Sequence, residues 1–341
     1  MKKIGILQTA FLGDTVIIAD MIGKLNKLYG DQVQIHLIVK KGIEPLFEND
    51  PRVNSITTFD KRDTEKGFWG LIRAIRKVRK LRLNVMLTVH RSLRSSLIAR
   101  LSGARKVIGF KTASMSFLFS KRVEREGAHE VLKNHRLLEV LDKRFLDITP
   151  SKAHPYTLYP PKKNKRKDLS ELEKKSFIVV APGSKWPTKR WTTNGYVELI
   201  NRLLKSYIYK IILTGDKEDI KYSDDIASEI NSTKRVLDLT GKLEIQDLFY
   251  LISRARLVVT NDSAPQHIAV GLGIPVVAIF GPTVKELGFY PYSNKAVVVE
   301  NNNVQCRPCG LHGHNVCPKE THECMKSLTS IEVFEAVEDM F

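Results

Sequence analysis

The residues best suited to chemistry lie in a polar turn, Asn261-Asp262-Ser263-Ala264-Pro265-Gln266-His267, between the apolar runs 257–260 and 274–280. A buried strand that ends in polar residues and opens into a helix directs free backbone N–H groups to one point, which suits a phosphate. Ser263 is placed to cap this helix and Gly273 to end it. Asp262 and His267 would then touch the polar part of the ligand. An ordinary capped turn, with Asp262 as the cap, is the alternative.

Asp14 is a candidate general base. It follows the apolar segment 3–8 through a glycine turn and stands at the predicted start of a helix. The helix dipole would keep its carboxylate ionised and ready to accept a proton. The alternative is that Asp14 only caps the helix.

The turn Pro182-Gly183-Ser184 opens a further group of candidates. It lacks the P-loop spacing, and the first half of the chain lacks the three-glycine dinucleotide fingerprint, so neither nucleoside triphosphate hydrolysis nor hydride transfer is indicated. Lys189, just beyond the turn, can neutralise a diphosphate leaving group, or it can be a solvated lysine before a helix.

Two other strand ends carry residues suited to a nucleoside. Glu218 can accept hydrogen bonds from a ribose diol, with helix capping by Asp216 as the alternative. Thr240 and Leu243, in the turn 238–243, are placed to line a base pocket.

All four cysteines lie near the C-terminus, as Cys306-x2-Cys309-x7-Cys317-x6-Cys324. In a chain expected to be cytosolic, clustered thiols indicate structural zinc more than disulfides, with packed or redox-active thiols as the alternative. Nearby histidines can substitute as ligands: His312, His314 and His322. We assign this cluster no part in catalysis.

The net charge of +18 is concentrated in one half of the chain. Residues 1–175 contain 37 Lys and Arg against 18 Asp and Glu, and residues 176–341 contain 18 against 19. This asymmetry predicts an anionic partner for the first half, with simple solubility as the alternative. The candidate contacts to that partner lie in loops: Lys61, Arg62, His90, Arg91 and Arg94.

The elements that must position these residues are apolar runs alternating with helical patterns, which predict parallel strands covered on both faces. We therefore predict an α/β fold with two Rossmann-like domains, 1–160 and 161–325, whose facing strand ends form an interdomain cleft. The segment 326–341 is expected to form a C-terminal helix that packs toward the first domain. Predicted strands are 3–8, 33–39, 85–89, 210–214, 257–260 and 274–280, with a further apolar run from 177 that ends in the turn 182–184. Predicted helices are 15–28, 68–82, 93–102, 194–206 and 245–255. The Pro- and Lys-rich stretch 149–175 is predicted to be an exposed connection.

No secretory signal or window of about 18 apolar residues is present, so we expect a cytosolic protein or one bound peripherally to a membrane from that side.

The ordered set of motifs resembles the lipopolysaccharide heptosyltransferases of glycosyltransferase family nine across nearly the whole chain. The motifs are Gly13-Asp14, residues 92–97 leading to 106–110, Pro182-Gly183-Ser184 with Lys189-Arg190-Trp191, Leu239-Thr240-Gly241, Asn261-Asp262-Ser263 with His267, and Phe280-Gly281-Pro282-Thr283.

The resemblance implies a GT-B fold with the acceptor on the first domain and the nucleotide-sugar on the second. It places Asp14 on the catalytic base, Lys189 on the phosphate-contacting lysine and Asp262 on the heptose contact. It implies further donor contacts from Ser184, Lys185, Ser263 and Ala264 to phosphate and from Glu218 to ribose. The family usually has glycine at the position of Ala264 and often an apolar residue at that of Gln266.

The resulting hypothesis is inverting transfer of heptose from ADP-heptose to the inner core of lipopolysaccharide or lipooligosaccharide. The diphosphate is stabilised by Lys189 and the helix N-terminus, so no catalytic metal or cofactor is expected. The expected partners are an anionic acceptor and the anionic cytosolic face of the inner membrane, not nucleic acid, and the expected state is a monomer. The alternatives are transfer of another sugar from a nucleotide donor, and a non-catalytic basic protein that binds nucleic acid or membrane.

Overall fold

The computed structural model describes residues 1–60, 65–230 and 233–341. Its contacts divide the chain into two compact units, Met1–Tyr159 and Pro160–Phe341. Each unit contains its own parallel six-stranded sheet.

The sheet of the first unit has the strand order β3-β2-β1-β4-β5-β6. Its central strands are short apolar runs buried on both faces, as parallel strands covered by helices require. The strands are β1 Lys2–Gln8, β2 Val33–Lys40, β3 Val53–Phe59, β4 Val85–Thr88, β5 Lys106–Phe110 and β6 Lys121–Val123. The helices are α1 Leu12–Ile17, α2 Ala19–Tyr29, α3 Gly67–Arg79, α4 Leu93–Leu101 and α5 Glu130–Leu141.

The second unit repeats this topology, with the order β12-β11-β10-β7-β8-β9. Its strands are β7 Phe177–Ala181, β8 Lys210–Leu213, β9 Val236–Asp238, β10 Leu257–Asn261, β11 Val276–Phe280 and β12 Ala296–Glu300. Its helices are α6 Lys167–Ser170, α7 Thr193–Ser206, α8 Ile220–Ser228, α9 Ile245–Arg254, α10 Ala264–Gly271, α11 Glu323–Lys326 and α12 Ser330–Glu338. The prediction of two Rossmann-like sheets is confirmed.

In both units the first and fourth strands in chain order are neighbours at the sheet centre, where the direction of the strand order reverses. Open α/β sheets bind ligands at such a switch point, beyond the carboxyl ends of the strands. The loops after β1 and β4 therefore define one candidate site, and those after β7 and β10 define another.

Two predicted elements differ from the structure. The helix predicted at 15–28 is two helices, α1 and α2, which meet at Ile18. The segment 326–341, which we expected to pack toward the first domain, belongs to the second unit. Val333 and Val337 of α12 are buried in that unit's core because they fill the apolar surface formed by α7 and its sheet. A capping box between Thr329 and Glu332 fixes the start of α12.

Within the part of the chain that the structure describes, no helix is both long and apolar enough to cross a bilayer.

Candidate functional site

Asp14 lies at the switch point of the first unit, in the first turn of α1. Burial, followed by the negative charge of Glu130, raises the pKa of Asp14 to about 6. We expected the helix dipole to favour the ionised form and so to lower the pKa of Asp14. This expectation is wrong, because the loss of hydration on burial raises the pKa by more than the helix terminus lowers it. A carboxylate with a pKa near 6 is a stronger base than an ordinary aspartate and is still mostly ionised at neutral pH.

Charged side chains that the sequence analysis did not single out surround Asp14. Glu130, at the start of α5, forms ion pairs with Arg125 and, at 3.0 Å, with Lys133. Burial and the charge of Arg125 lower the pKa of Arg91, which also senses Asp14 and Glu130. Asp14 and Arg91 therefore share one electrostatic neighbourhood with this cluster.

The other basic candidates of the first unit have different environments. His90 Nδ1 lies 2.8 Å from Thr9 Oγ1 and 2.9 Å from Ser95 Oγ, in a group of hydroxyls at the end of β4. Arg94 instead donates to the carbonyl oxygen of Glu65 and lies over the Phe59 ring, 4.8 Å from its centroid. As acceptor contacts His90, Arg91 and Arg94 stay predictions, and Lys61 and Arg62 lie outside the described residues.

In the second unit, Lys189 and Asp262 form a buried ion pair with an Nζ to Oδ2 distance of 2.5 Å. The same carboxylate accepts a hydrogen bond from Thr283 Oγ1 at 2.7 Å and one from Gln266 Nε2 at 2.8 Å. Lys189, predicted to contact phosphate, and Asp262, predicted to contact the sugar, are therefore brought together as an ion pair. Thr283 and Gln266 complete the group.

Asn261 holds the loops after β7 and β10 together, a role that the sequence analysis missed. Its side-chain oxygen accepts hydrogen bonds from Trp191 N at 3.1 Å and from the Tyr196 hydroxyl at 2.9 Å. Its Nδ2 donates to the carbonyl of Pro182 at 2.6 Å. This fully buried amide fixes Lys189 and Asp262 relative to each other because it ties both of their loops.

The helix α10 begins as predicted, with Ser263 at the N-cap position and Pro265 in the first turn. The Ser263 side chain does not cap the helix but lies 3.0 Å from Thr260 Oγ1. Burial and the charge of Lys189 lower the pKa of His267 to about 4, so this imidazole is neutral at physiological pH. Ala264 is half-buried at the helix start.

The remaining donor candidates lie along the same sheet edge. Ser184 is buried and accepts a 3.4 Å hydrogen bond from Trp186 N, whereas Lys185 is exposed above the Trp186 ring. Thr240 is buried and donates to Ser223 Oγ at 2.9 Å, and Leu243 is half-buried.

Glu218 is exposed, and its backbone N–H bonds to Asp216, which caps this turn as the alternative interpretation proposed. The buried carboxylate of the turn is Asp219, which pairs with Arg190 at 2.8 Å. A Cβ on Gly183 would lie 2.1 Å from Asp219 Oδ2, so this glycine is required by close packing. The ribose contact of Glu218 stays a prediction.

The four cysteines line one small cavity together with His314 and His322, and all four are free thiols. Among the described residues no three Cys, His, Asp or Glu side chains are arranged to hold a metal ion. The donor types suit zinc, but the thiols do not converge on a point in this geometry. Zinc at this site stays a prediction.

The segment Cys306–Cys324, hereafter the cysteine loop, is hydrogen-bonded to residues beside the donor candidates Lys189 and Asp262. His314 N donates to Thr188 Oγ1 at 2.7 Å, and His322 Nε2 lies 2.8 Å from the carbonyl oxygen of Thr188. Arg307 donates to the carbonyl oxygen of Thr283 at 2.9 Å. The cysteine loop therefore holds the neighbour of Lys189 and one partner of Asp262.

Residues 71–318 match the sequence model described as glycosyltransferase family 9 (heptosyltransferase). The chain is 27% identical over 300 residues to lipopolysaccharide heptosyltransferase 3 of Escherichia coli, covering 84% of this chain and 85% of that relative.

Two solved structures have a similar fold. The glycosyl transferase family 9 protein of Veillonella parvula superimposes with a TM-score of 0.82 at 19% identity, over 99% of this chain and 97% of the other. The E. coli ADP-heptose LPS heptosyltransferase II superimposes with a TM-score of 0.79 at 22% identity, over 100% and 98%. These likenesses confirm the predicted GT-B fold class.

Proposed function

The chain belongs to glycosyltransferase family 9, and from that premise we propose that it transfers a heptose from ADP-heptose to the inner core of lipopolysaccharide or lipooligosaccharide. The observation that carries the proposal is the family match over residues 71–318, which makes the protein a glycosyltransferase. Relatives named as lipopolysaccharide or lipooligosaccharide heptosyltransferases support the sugar and the acceptor. The name of one solved relative includes ADP-heptose and supports the donor.

The proposed chemistry is a single displacement with inversion at the anomeric carbon. Asp14 takes the proton of the acceptor hydroxyl while that oxygen bonds to the anomeric carbon and the bond from this carbon to the ADP oxygen breaks. The raised pKa of Asp14 supports this role because a base with a pKa near the working pH accepts the proton more readily.

The proposed donor site uses the residues at the second switch point. Lys189 neutralises the charge that develops on the diphosphate, with backbone N–H groups at Ser263 and Ala264 as further donors. Asp262 accepts hydrogen bonds from the sugar. Since Lys189 is already paired with Asp262, its ammonium would be shared between that carboxylate and the phosphate. Ser184, Lys185 and Glu218 complete the proposed contacts.

The charge of the first unit supports an anionic acceptor. Residues 1–159 contain 30 Lys and Arg against 15 Asp and Glu, a net +15, whereas residues 160–341 contain 25 against 22, a net +3. This net positive charge would attract an acidic inner core on an anionic membrane surface. Peripheral binding to the cytosolic face of the inner membrane and a monomeric state are part of this proposal.

The deciding experiment is turnover of ADP-heptose with a truncated lipopolysaccharide acceptor, followed by mass. We expect the acceptor to gain the mass of one heptose. If no product forms from ADP-heptose, thermal stabilisation by ADP, UDP and GDP will identify another donor class, because a ligand that binds the folded state raises its stability. Family membership already favours an enzyme over the non-catalytic basic binder.

Structural zinc on the cysteine loop is a separate proposal, supported by the four thiols that line one cavity. Elemental analysis of the purified protein should give about one zinc per chain, the number that a four-thiolate structural site holds. A metal-free protein with full activity would refute it.

A further inference from the structure

Gln266 is a residue of the candidate donor site to which the proposed mechanism gives no role. It lies in the first turn of α10 and is completely buried, with 0% exposure. Its Nε2 donates to Asp262 Oδ1 at 2.8 Å and lies 3.3 Å from the carbonyl oxygen of Phe289. Both neighbours are acceptors, so the amide nitrogen must face them and the orientation of the amide is fixed.

The other end of this amide is not satisfied. Gln266 Oε1 is buried and has no hydrogen-bond donor among the described residues. A buried acceptor without a partner destabilises the folded protein, and an apolar side chain of the same length would avoid that cost. What offsets this cost is the pair of hydrogen bonds from Nε2, one of them to the charged carboxylate of Asp262.

The hydrogen bonds of Asp262 indicate what its contact with Gln266 does. An ionised carboxylate offers about four lone-pair positions, two on each oxygen. Lys189 and Thr283 both bond to Oδ2, and Gln266 bonds to Oδ1. Among the described residues no other side chain bonds to this carboxylate. One acceptor position therefore remains, on Oδ1, and the bond from Gln266 determines its direction.

We propose that Gln266 is a positioning residue that orients Asp262 so that the remaining acceptor position of Oδ1 receives a hydroxyl of the donor sugar. The fixed amide and the completed Oδ2 support this role. The ligand class is a nucleotide-linked sugar with a hydroxyl within reach of Asp262. This inference rests on the proposed function.

The test is Gln266→Met, which keeps the length of the side chain and removes the amide. We expect kcat/KM for ADP-heptose to fall about 10- to 100-fold, the range for loss of a hydrogen bond to a charged group. The Kd of ADP, which lacks the transferred sugar, should change less than about twofold. The unfolding midpoint should fall modestly, because Asp262 Oδ1 and the carbonyl oxygen of Phe289 lose a donor while the unsatisfied Oε1 is removed.

Two further variants control this result. Gln246→Met makes the same exchange at an exposed position on α9 and should leave all three quantities unchanged. Gln266→Asn keeps an amide that is too short to reach Asp262, and it should lower kcat/KM as Gln266→Met does. It serves as the test if the methionine variant does not fold.

Each outcome is decisive. Unchanged kcat/KM in Gln266→Met would overturn the positioning role. Equal losses for ADP and ADP-heptose would also overturn it, in favour of a purely structural role. Failure of the unmodified protein to use ADP-heptose would instead refute the proposed function.

Discussion

The two units share one strand order but use the aspartate at the switch point in opposite ways. Asp14 forms no ion pair among the described residues, and burial, together with the nearby carboxylate of Glu130, raises its pKa. Asp262 receives three hydrogen bonds, one of them from a lysine. The comparison shows that two loops at the switch point of a common scaffold hold aspartates in different states, one with a raised pKa and one anchored by hydrogen bonds, according to burial and to the charges beside them.

The largest expected effect tests the proton-acceptor side. Asp14→Asn should lower kcat by about 10²- to 10⁴-fold because it removes the general base, with ADP affinity unchanged. Asp14 has a higher pKa in the folded protein than in the unfolded chain, so its ionisation destabilises the folded state at pH 7. The asparagine variant carries no charge at this position and should therefore unfold at a higher temperature than the unmodified protein at pH 7. Turnover assays and thermal unfolding measure the two effects. Full activity would remove Asp14 from the mechanism.

The anchor side is tested by Lys189→Met. A buried carboxylate left without its cation destabilises a fold by about 3–5 kcal/mol, so the loss should appear in denaturant unfolding as well as in ADP affinity. The double variant Lys189→Met with Asp262→Asn should recover stability without recovering ADP affinity. If the single variant is as stable as the unmodified protein, the ion pair does not hold this site together.

The effect of the neighbouring charge on Asp14 is tested by the pH dependence of kcat/KM. Because Asp14 must be ionised to accept a proton, kcat/KM should fall as pH drops through about 6. Glu130→Gln removes the neighbouring negative charge, so the pKa of Asp14 should fall and this limb should move to lower pH by about half a unit to one unit. A limb that stays in place would show that burial alone sets the pKa. Gln246→Met, an exchange at an exposed position of the other unit, serves as the control.

The smallest effect concerns the support of the anchor. Thr188→Val removes the hydroxyl that bonds His314, so ADP affinity should fall about three- to tenfold, as expected for one neutral hydrogen bond. Gly313→Ala tests the same contact by crowding, since its Cβ would lie 2.7 Å from Trp186 Cβ and 3.0 Å from Lys189 Cγ. Calorimetric titration measures the ADP affinity of both variants. Unchanged affinity in both would show that the cysteine loop does not position Lys189.

Much of the scaffold could be predicted from sequence because apolar runs and glycine turns are local signals. They indicated the central strands β1, β2, β4, β7, β8, β10 and β11, and the turn that carries Asp262. Edge strands such as β9 and β12 are short or half-buried, and their pattern is too weak to identify them. The break at Ile18 follows from packing and has no glycine or proline to indicate it.

The chemistry of the sites was less predictable because it depends on pairs that are distant in sequence. Lys189 and Asp262 were each identified, but their bond joins residues 73 positions apart. Glu130 acts on Asp14 through space from another element, and no spacing rule connects them. Only Gln266, four residues after Asp262 at helical spacing, carried a local signal for its partner.

The cysteine loop also links the donor candidates to a part of the chain far from them in sequence. Thr188, which precedes Lys189, is contacted by His314 and His322 of this loop. These two residues lie three positions before and five positions after Cys317. A shift of the cysteine loop is therefore transmitted to Thr188 and to the ion pair of Lys189 with Asp262 beside it.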